Sequence, residues 1–181
     1  MKTYENALQI IADNYAIIGK ERHELAAMVI DKYKSSTEPF DILGVAYAYL
    51  WLGAKFRQEA ISYFEKYLSK YSDIELNCHC IKRWSVFSDL ATLYEKEYKY
   101  QKAIFCLQKC IAIDDHSNAA DYTRIGDILV KEDMSKAEEF YIKLLNDPKL
   151  NKYQRQFAYA LNEVIEKKNR GYVYRPRNKK Q

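Results

Sequence analysis

A small residue set among large ones recurs along this chain at helical spacing, and that recurrence limits the fold more than any other feature. Phe40-x2-Leu43-Gly44-x2-Tyr47 is followed by Ala60-x3-Phe64, and Phe87-x2-Leu90-Ala91-x2-Tyr94 by Ala103-x3-Leu107. Tyr122-x2-Ile125-Gly126-x2-Leu129 is followed by Ala137-x3-Tyr141 and Pro148. A weaker first copy reads Leu8-x2-Ile11-Ala12-x2-Tyr15, then Ala26-x3-Ile30 and Pro39. The small side chains at Gly44, Ala91 and Gly126 are expected to let the paired helix of each hairpin approach closely. Ala60, Ala103 and Ala137 do the same from the other side, and large residues fill the space between.

Apolar stripes of period 3.6 run through the rest of the chain and predict nine helices with short polar turns. One stripe, Leu76, Cys80, Trp84, Phe87, Ala91 and Tyr94, is unusually long and predicts a helix over 74–97. Gly19 and Gly53 are suited to ending helices, and Ser36, Thr37, Asp73, Ser117 and Ser135 to capping their starts. Pro39 and Pro148 fall between stripes, and no stretch alternates with period two long enough for a strand. With 5 Gly, 3 Pro and 17 Tyr in 181 residues, the composition agrees with a helical, aromatic-rich core. The fold class is all-α.

These copies resemble the tetratricopeptide repeat, whose pattern is a large residue, x2, Leu-Gly, x2, Tyr, then Ala-x3-Phe, then Pro. The resemblance covers about residues 4–149. It implies a right-handed αα-superhelix of about four helical hairpins, with 151–169 as a C-terminal capping helix. Residues 1–169 then form the repeat domain and 170–181 a basic tail, expected to be disordered. The small residues Ala12, Gly44, Ala91 and Gly126 are 32, 47 and 35 apart, where the family expects 34. The lengthened second hairpin is similar to those of bacterial receptors for signalling peptides, though no helix-turn-helix reader accompanies it.

The resemblance also implies a concave groove that takes a protein or peptide segment. Its expected positions read Gln9, Asp13 and Ala16; Asp41, Val45 and Ala48; Ser88, Thr92 and Glu95; Thr123, Asp127 and Val130. Four acids and no base point to a neutral or basic partner. The candidate contacts are Asp13, Asp41, Val45, Tyr49, Ser88, Thr92, Glu95, Thr123 and Asp127. A clamp for a partner's C-terminal carboxylates needs cations at such places, and here Lys96 and Lys131 only flank them.

The net charge of +4 conceals a division. Residues 167–181 carry seven Lys or Arg and no acid, which leaves 22 Lys or Arg against 25 Asp or Glu elsewhere, a body of −3. Tyr172 and Tyr174 interleave rings with this charge, and Gly171 and Pro176 stop a helix. Three readings of the tail stay open: a solubilising end, a segment that reaches an acidic groove of its own or a neighbouring copy, and a contact for nucleic acid. Nucleic-acid association through the tail is the alternative to the protein-binding function.

Catalysis and metal have little support. No GxGxxG, GxxxxGK or GxSxG occurs, and after His23-Glu24 the second His of a zinc-protease motif is replaced by Ala27. His23 and His116 read as solvated. Cys106 and Cys110 could chelate zinc if Cys78 or Cys80 faced them, beside His79. The CxC and CxxxC spacings do not match a common zinc pairing, however, and Cys80 and Cys110 suit apolar stripes. A non-enzymatic module without cofactor or metal is expected. The longest uncharged run, Ile42 to Ala54, is too short to span a bilayer, and acids interrupt the apolar pattern of the first 19 residues. A cytoplasmic protein with free thiols is the corresponding expectation.

Overall fold

The computed structural model describes residues 6–72, 75–76, 81–113 and 119–175. Among them are nine α-helices and no strand. No helix among the described residues is long and apolar enough to cross a membrane. The chain divides into two compact units, Met1–Tyr94 and Glu95–Gln181.

The first unit is arranged about α3, Pro39–Leu52, with α1 (Ala7–Asp13), α2 (Gly19–Tyr33) and α4 (Arg57–Tyr71) packed on it. Every residue from Asp41 to Ala48 is buried, so α3 is wrapped on all sides, as a helix apolar around its circumference must be. Pro39 stands at its first turn, where a missing amide proton costs nothing, and Gly53 ends it at φ 87°. Gly53 leads into a 3-10 turn, Ala54–Phe56, and then α4. The large repeat residues meet as expected: the Tyr47 and Phe64 rings are edge to face with centroids 5.1 Å apart. The Tyr47 hydroxyl donates to Asp89 Oδ2 at 3.0 Å on α5, Arg83–Lys96, and burial followed by the Asp89 charge pushes its pKa well up.

Gly44 permits a different approach from the one its repeat position suggests. A Cβ there would lie 2.3 Å from the carbonyl carbon of Ala7 and 2.4 Å from the Leu8 nitrogen. The helix brought close is therefore α1, and not only the hairpin partner α4. Asp41 joins the same contact. Its Oδ1 accepts from the Ala7 amide at 2.9 Å and its Oδ2 from Ser36 Oγ at 2.7 Å. One carboxylate thus satisfies an orphan donor at the start of α1 from within the first turn of α3.

The second unit contains α6 (Tyr100–Ile113), α7 (Ala119–Glu132), α8 (Met134–Leu145) and α9 (Gln154–Asn169), with a 3-10 turn at Pro148–Tyr153. Its core gathers Ala137, Tyr141, Leu144, Leu150, Phe157 and Val164. Gly126 behaves here as the repeat predicts, since a Cβ would lie 2.1 Å from the Tyr141 hydroxyl of the paired helix α8.

Several local expectations are corrected. The helix expected over 74–97 begins only at Arg83, and the described residues 75–76 and 81–82 are not helical. Ser85 fixes the start, accepting from the Lys82 amide at 3.0 Å and donating to the Lys82 carbonyl at 2.7 Å. Gly19 is left-handed at φ 67° but opens α2, because α1 has already ended at Asp13. Tyr15 of the weak first copy therefore lies beyond its helix, its ring against the edge of Trp51 at 6.2 Å. Asp133 caps α8 through its bond with the Ser135 amide, so Ser135 is inside the helix. Glu38 precedes α3 as its N-cap, with Ser36 Oγ accepting from the Glu38 amide at 3.2 Å. Asp73 and Ser117 lie outside the described residues.

Candidate functional site

In the second unit a cleft of about 830 Å³ lies between α7 and α9, within the range that holds small ligands or peptide side chains. From α7 it takes Thr123, Asp127 and Val130, at i, i+4 and i+7, which is one helical face. From α9 it takes Gln156, Ala160, Glu163 and Lys167, again one face. Tyr153 and Tyr159 add rings, and Tyr141 of α8 forms part of the lining. The Tyr141 hydroxyl donates to the Thr123 carbonyl at 3.2 Å, which holds its ring against Gly126. The wall is mainly apolar, with two acids, Asp127 and Glu163, and two bases, Arg155 and Lys167.

Desolvation dominates the electrostatics. Burial raises the Asp127 carboxyl pKa, opposed by Lys131 and Lys167 and reinforced by Glu95. Burial likewise pushes up Tyr141, with the Asp127 charge adding to it.

Glu95, which opens the second unit, is already clamped. Arg124 reaches its Oε1 with Nε and Nη2, both at 2.8 Å, and Lys131 Nζ lies 3.3 Å from its Oε2. The remaining expected contacts lie in the first unit and are described within it. Asp13 is exposed and accepts from Gln9 Nε2 at 2.6 Å. Asp41 and Val45 are buried, Asp41 serving the bonds to Ala7 and Ser36. Tyr49 packs against Tyr63 and Phe56 with centroids 5.5 and 6.0 Å away, and burial, then Tyr63 and Glu59, raises its pKa. Ser88 and Thr92 are half-buried, and the Thr92 hydroxyl donates to the Ser88 carbonyl at 3.0 Å.

Of the expected contacts, Thr123 and Asp127 are thus brought together in one cleft. Val130, named among the groove positions but not among the contacts, joins them. The α9 wall was missed because that helix reads as a cap, its apolar stripe drawing attention to Phe157, Leu161 and Val164. The recurrence of Gln156, Ala160, Glu163 and Lys167 was the available signal for a second face.

Cys106 and Cys110 are buried along α6. Cys78, His79, Cys80 and His116 lie outside the described residues. Among the described residues no group of three or more His, Cys, Asp or Glu could hold a metal ion.

No family model matches the sequence, and no curated protein matches it. Solved structures do match its fold. A MamA structure from AMB-1 aligns with a TM-score of 0.59 at 18% identity, over 91% of this chain and 87% of that one. A second MamA structure gives 0.54 at 14% identity, over 93% and 98%. A Podosopora anserina kinesin light chain with nearly identical TPR-like repeats gives 0.51 at 16% identity, over 90% and 92%. These likenesses, with the helices described above, establish the fold as all-α and tetratricopeptide-like.

Proposed function

We propose that the protein is a non-enzymatic interaction module that holds a peptide or protein segment, neutral or basic, against the first helices of its repeats. The α7/α9 cleft carries this reading. It offers apolar area for side chains, while Thr123, Asp127 and Glu163 supply acceptors for a partner's amides or cations. Asp127 adds a physical argument. Its raised pKa means that ionisation is disfavoured in the folded chain, so retaining the acid at neutral pH costs stability. A group kept at such a cost is better explained by recognition than by folding. The charge-balanced lining favours a neutral segment with at most one or two cations.

Peptides selected from a random library on the full chain provide the test, with affinities measured by fluorescence anisotropy. Ala160→Trp should fill the cleft and weaken selected peptides at least about tenfold, and Asp127→Lys should weaken the basic ones most. Equal affinity for wild type and both variants would remove the cleft from the function. Failure to select peptides, together with salt-sensitive binding of single-stranded RNA, would favour the basic tail instead.

A further inference from the structure

The α7/α9 cleft has two unlike ends. Its helices run side by side in the same direction: the rings of Tyr122 and Phe157, near their starts, stand edge to face at 5.7 Å, and the Lys167 charge near the end of α9 is felt at Asp127. Arg155 therefore lies at the end where both helices begin, and Asp127, Glu163 and Lys167 lie toward the other. Lys167 Nζ is 3.8 Å from Glu163 Oε2, so one of the two acids is offset and that end keeps a net negative charge. Arg155 is exposed and forms no ion pair among the described residues. Tyr159, 69% exposed, and Ala160 line the stretch between the two ends.

Distance along α9 sets the scale of what can span them. Arg155 and Glu163 are eight residues apart, about 12 Å at the rise of a helix. From Arg155 to Lys167 the lining extends about 18 Å, so a volume of about 830 Å³ corresponds to a mean width of about 8 Å. A helix with its side chains is about 10–12 Å across and does not enter without widening the cleft, whereas an extended strand does. In a strand, residues i, i+2 and i+4 point to one face, and i to i+4 spans about 13 Å. That span matches the separation of Arg155 and Glu163.

We propose that the cleft selects an extended segment with an acid and a cation four residues apart and an apolar side chain midway. The acid faces Arg155, the apolar side chain packs on Tyr159 and Ala160, and the cation faces Asp127 and Glu163. The pattern rests on the cleft being the interaction site and adds the chemistry of its partner. Charge placement argues against the other occupants. A purely basic segment meets Arg155, a purely acidic one meets Asp127 and Glu163, and residues 171–181 of the chain itself hold bases but no acid.

Fluorescence anisotropy of labelled seven-residue peptides with blocked ends tests the pattern on the full chain. Peptides with Glu, Phe and Lys at the second, fourth and sixth positions, in either order of the charges, are compared with versions in which the Glu or the Lys is Gln. One charged order should bind wild type at least about threefold more tightly than either of its Gln versions. Arg155→Glu, at an exposed position, should remove the advantage of Glu over Gln and keep that of Lys. A peptide with Lys in both places should bind Arg155→Glu more tightly than wild type. Should Ala160→Trp weaken every peptide while the Glu and Gln versions bind wild type equally in both orders, the cleft stands as the binding site and the charge pattern is overturned. No binding by any peptide, or affinities unchanged by both Ala160→Trp and Arg155→Glu, would remove the cleft and the pattern together. Tighter binding of a blocked peptide of residues 171–181 than of either mixed-charge peptide would overturn the pattern in favour of the chain's own end.

Discussion

Gly44→Ala separates packing from helix propensity, because the two predict opposite signs. Gly44 lies within α3, where replacing Gly by Ala should stabilise by about 1 kcal/mol on propensity alone. The added Cβ would lie 2.3 Å from the Ala7 carbonyl carbon, 2.4 Å from the Leu8 nitrogen and 2.5 Å from the Ala7 Cβ. Ordinary contact begins near 3.4 Å, so α1 must retreat by about 1 Å. The atoms in the way are mainly backbone, so a rotamer change cannot make the room. Overpacking of this kind costs about 1–3 kcal/mol. The retreat also strains the 2.9 Å bond from the Ala7 amide to buried Asp41, and loss of a hydrogen bond to a charged group adds about 1.5–3 kcal/mol. After the propensity gain, the expected net destabilisation is about 1.5–5 kcal/mol. Urea unfolding followed by tryptophan fluorescence suits the test, since both tryptophans, Trp51 and Trp84, lie in the first unit. With a urea slope of about 1.5 kcal/mol per molar, the midpoint should fall by roughly 2 M. Gly53→Ala is the companion variant: nothing lies within 4 Å of its Cβ, so only its backbone, at φ 87° and ψ −156° in a region essentially confined to glycine, opposes it, by about 1–3 kcal/mol. A Gly44→Ala midpoint equal to or above wild type would refute the α1 contact as the reason for this glycine.

Gly126→Ala should destabilise the second unit by about 1–2 kcal/mol through the buried Tyr141 ring, and Tyr141→Leu in the same chain should recover part of the loss in a double-mutant cycle by chemical denaturation. Asp127→Asn should stabilise the chain at neutral pH. The raised carboxyl pKa gives a contribution that is present below the unfolded value of 3.8 and lost as pH rises through the folded value, so the advantage of Asn should vanish in acid. Glu95→Gln should cost about 1 kcal/mol in thermal or urea unfolding, as Arg124 and Lys131 lose a shared, largely covered anion. Burial, followed by the bond to Tyr174, pushes the Tyr100 hydroxyl up to about 12, so its contribution to stability is complete below pH 10 and is lost as pH rises through about 12. Ultraviolet difference titration should show that step moving down in Tyr174→Phe while staying above the usual tyrosine range.

The repeat made the helix inventory and the hairpin interiors legible, because the spacing of a small residue among large ones is a local record of what packs against it. Tyr47 on Phe64 and Gly126 under Tyr141 are both readable in that way. Element ends were less legible. The stripe through Leu76 and Trp84 suggested a continuous helix, yet apolar spacing cannot distinguish a buried helical turn from a buried extended segment. Leu76 and Ile81 are both buried without being helical. The start of α5 is set instead by a bond between Ser85 and Lys82.

The groove was the least legible part, for a reason that follows from the same repeat. First-helix polar positions in successive copies look equivalent in sequence, but they differ in whether their atoms are already engaged. Asp41 is taken by the Ala7 amide, 34 residues away, and by Ser36. Thr92 turns back onto its own helix, and Glu95 is held by Arg124 and Lys131 from α7. Asp127 instead lines an open cleft, with its charge disfavoured by burial. A repeat therefore announces where a groove can form, while contacts distant in sequence decide which of its polar residues remain for a partner. The acids that look most alike in the pattern should respond oppositely to neutralisation: Asp41→Asn and Glu95→Gln should lose stability, and Asp127→Asn should gain it.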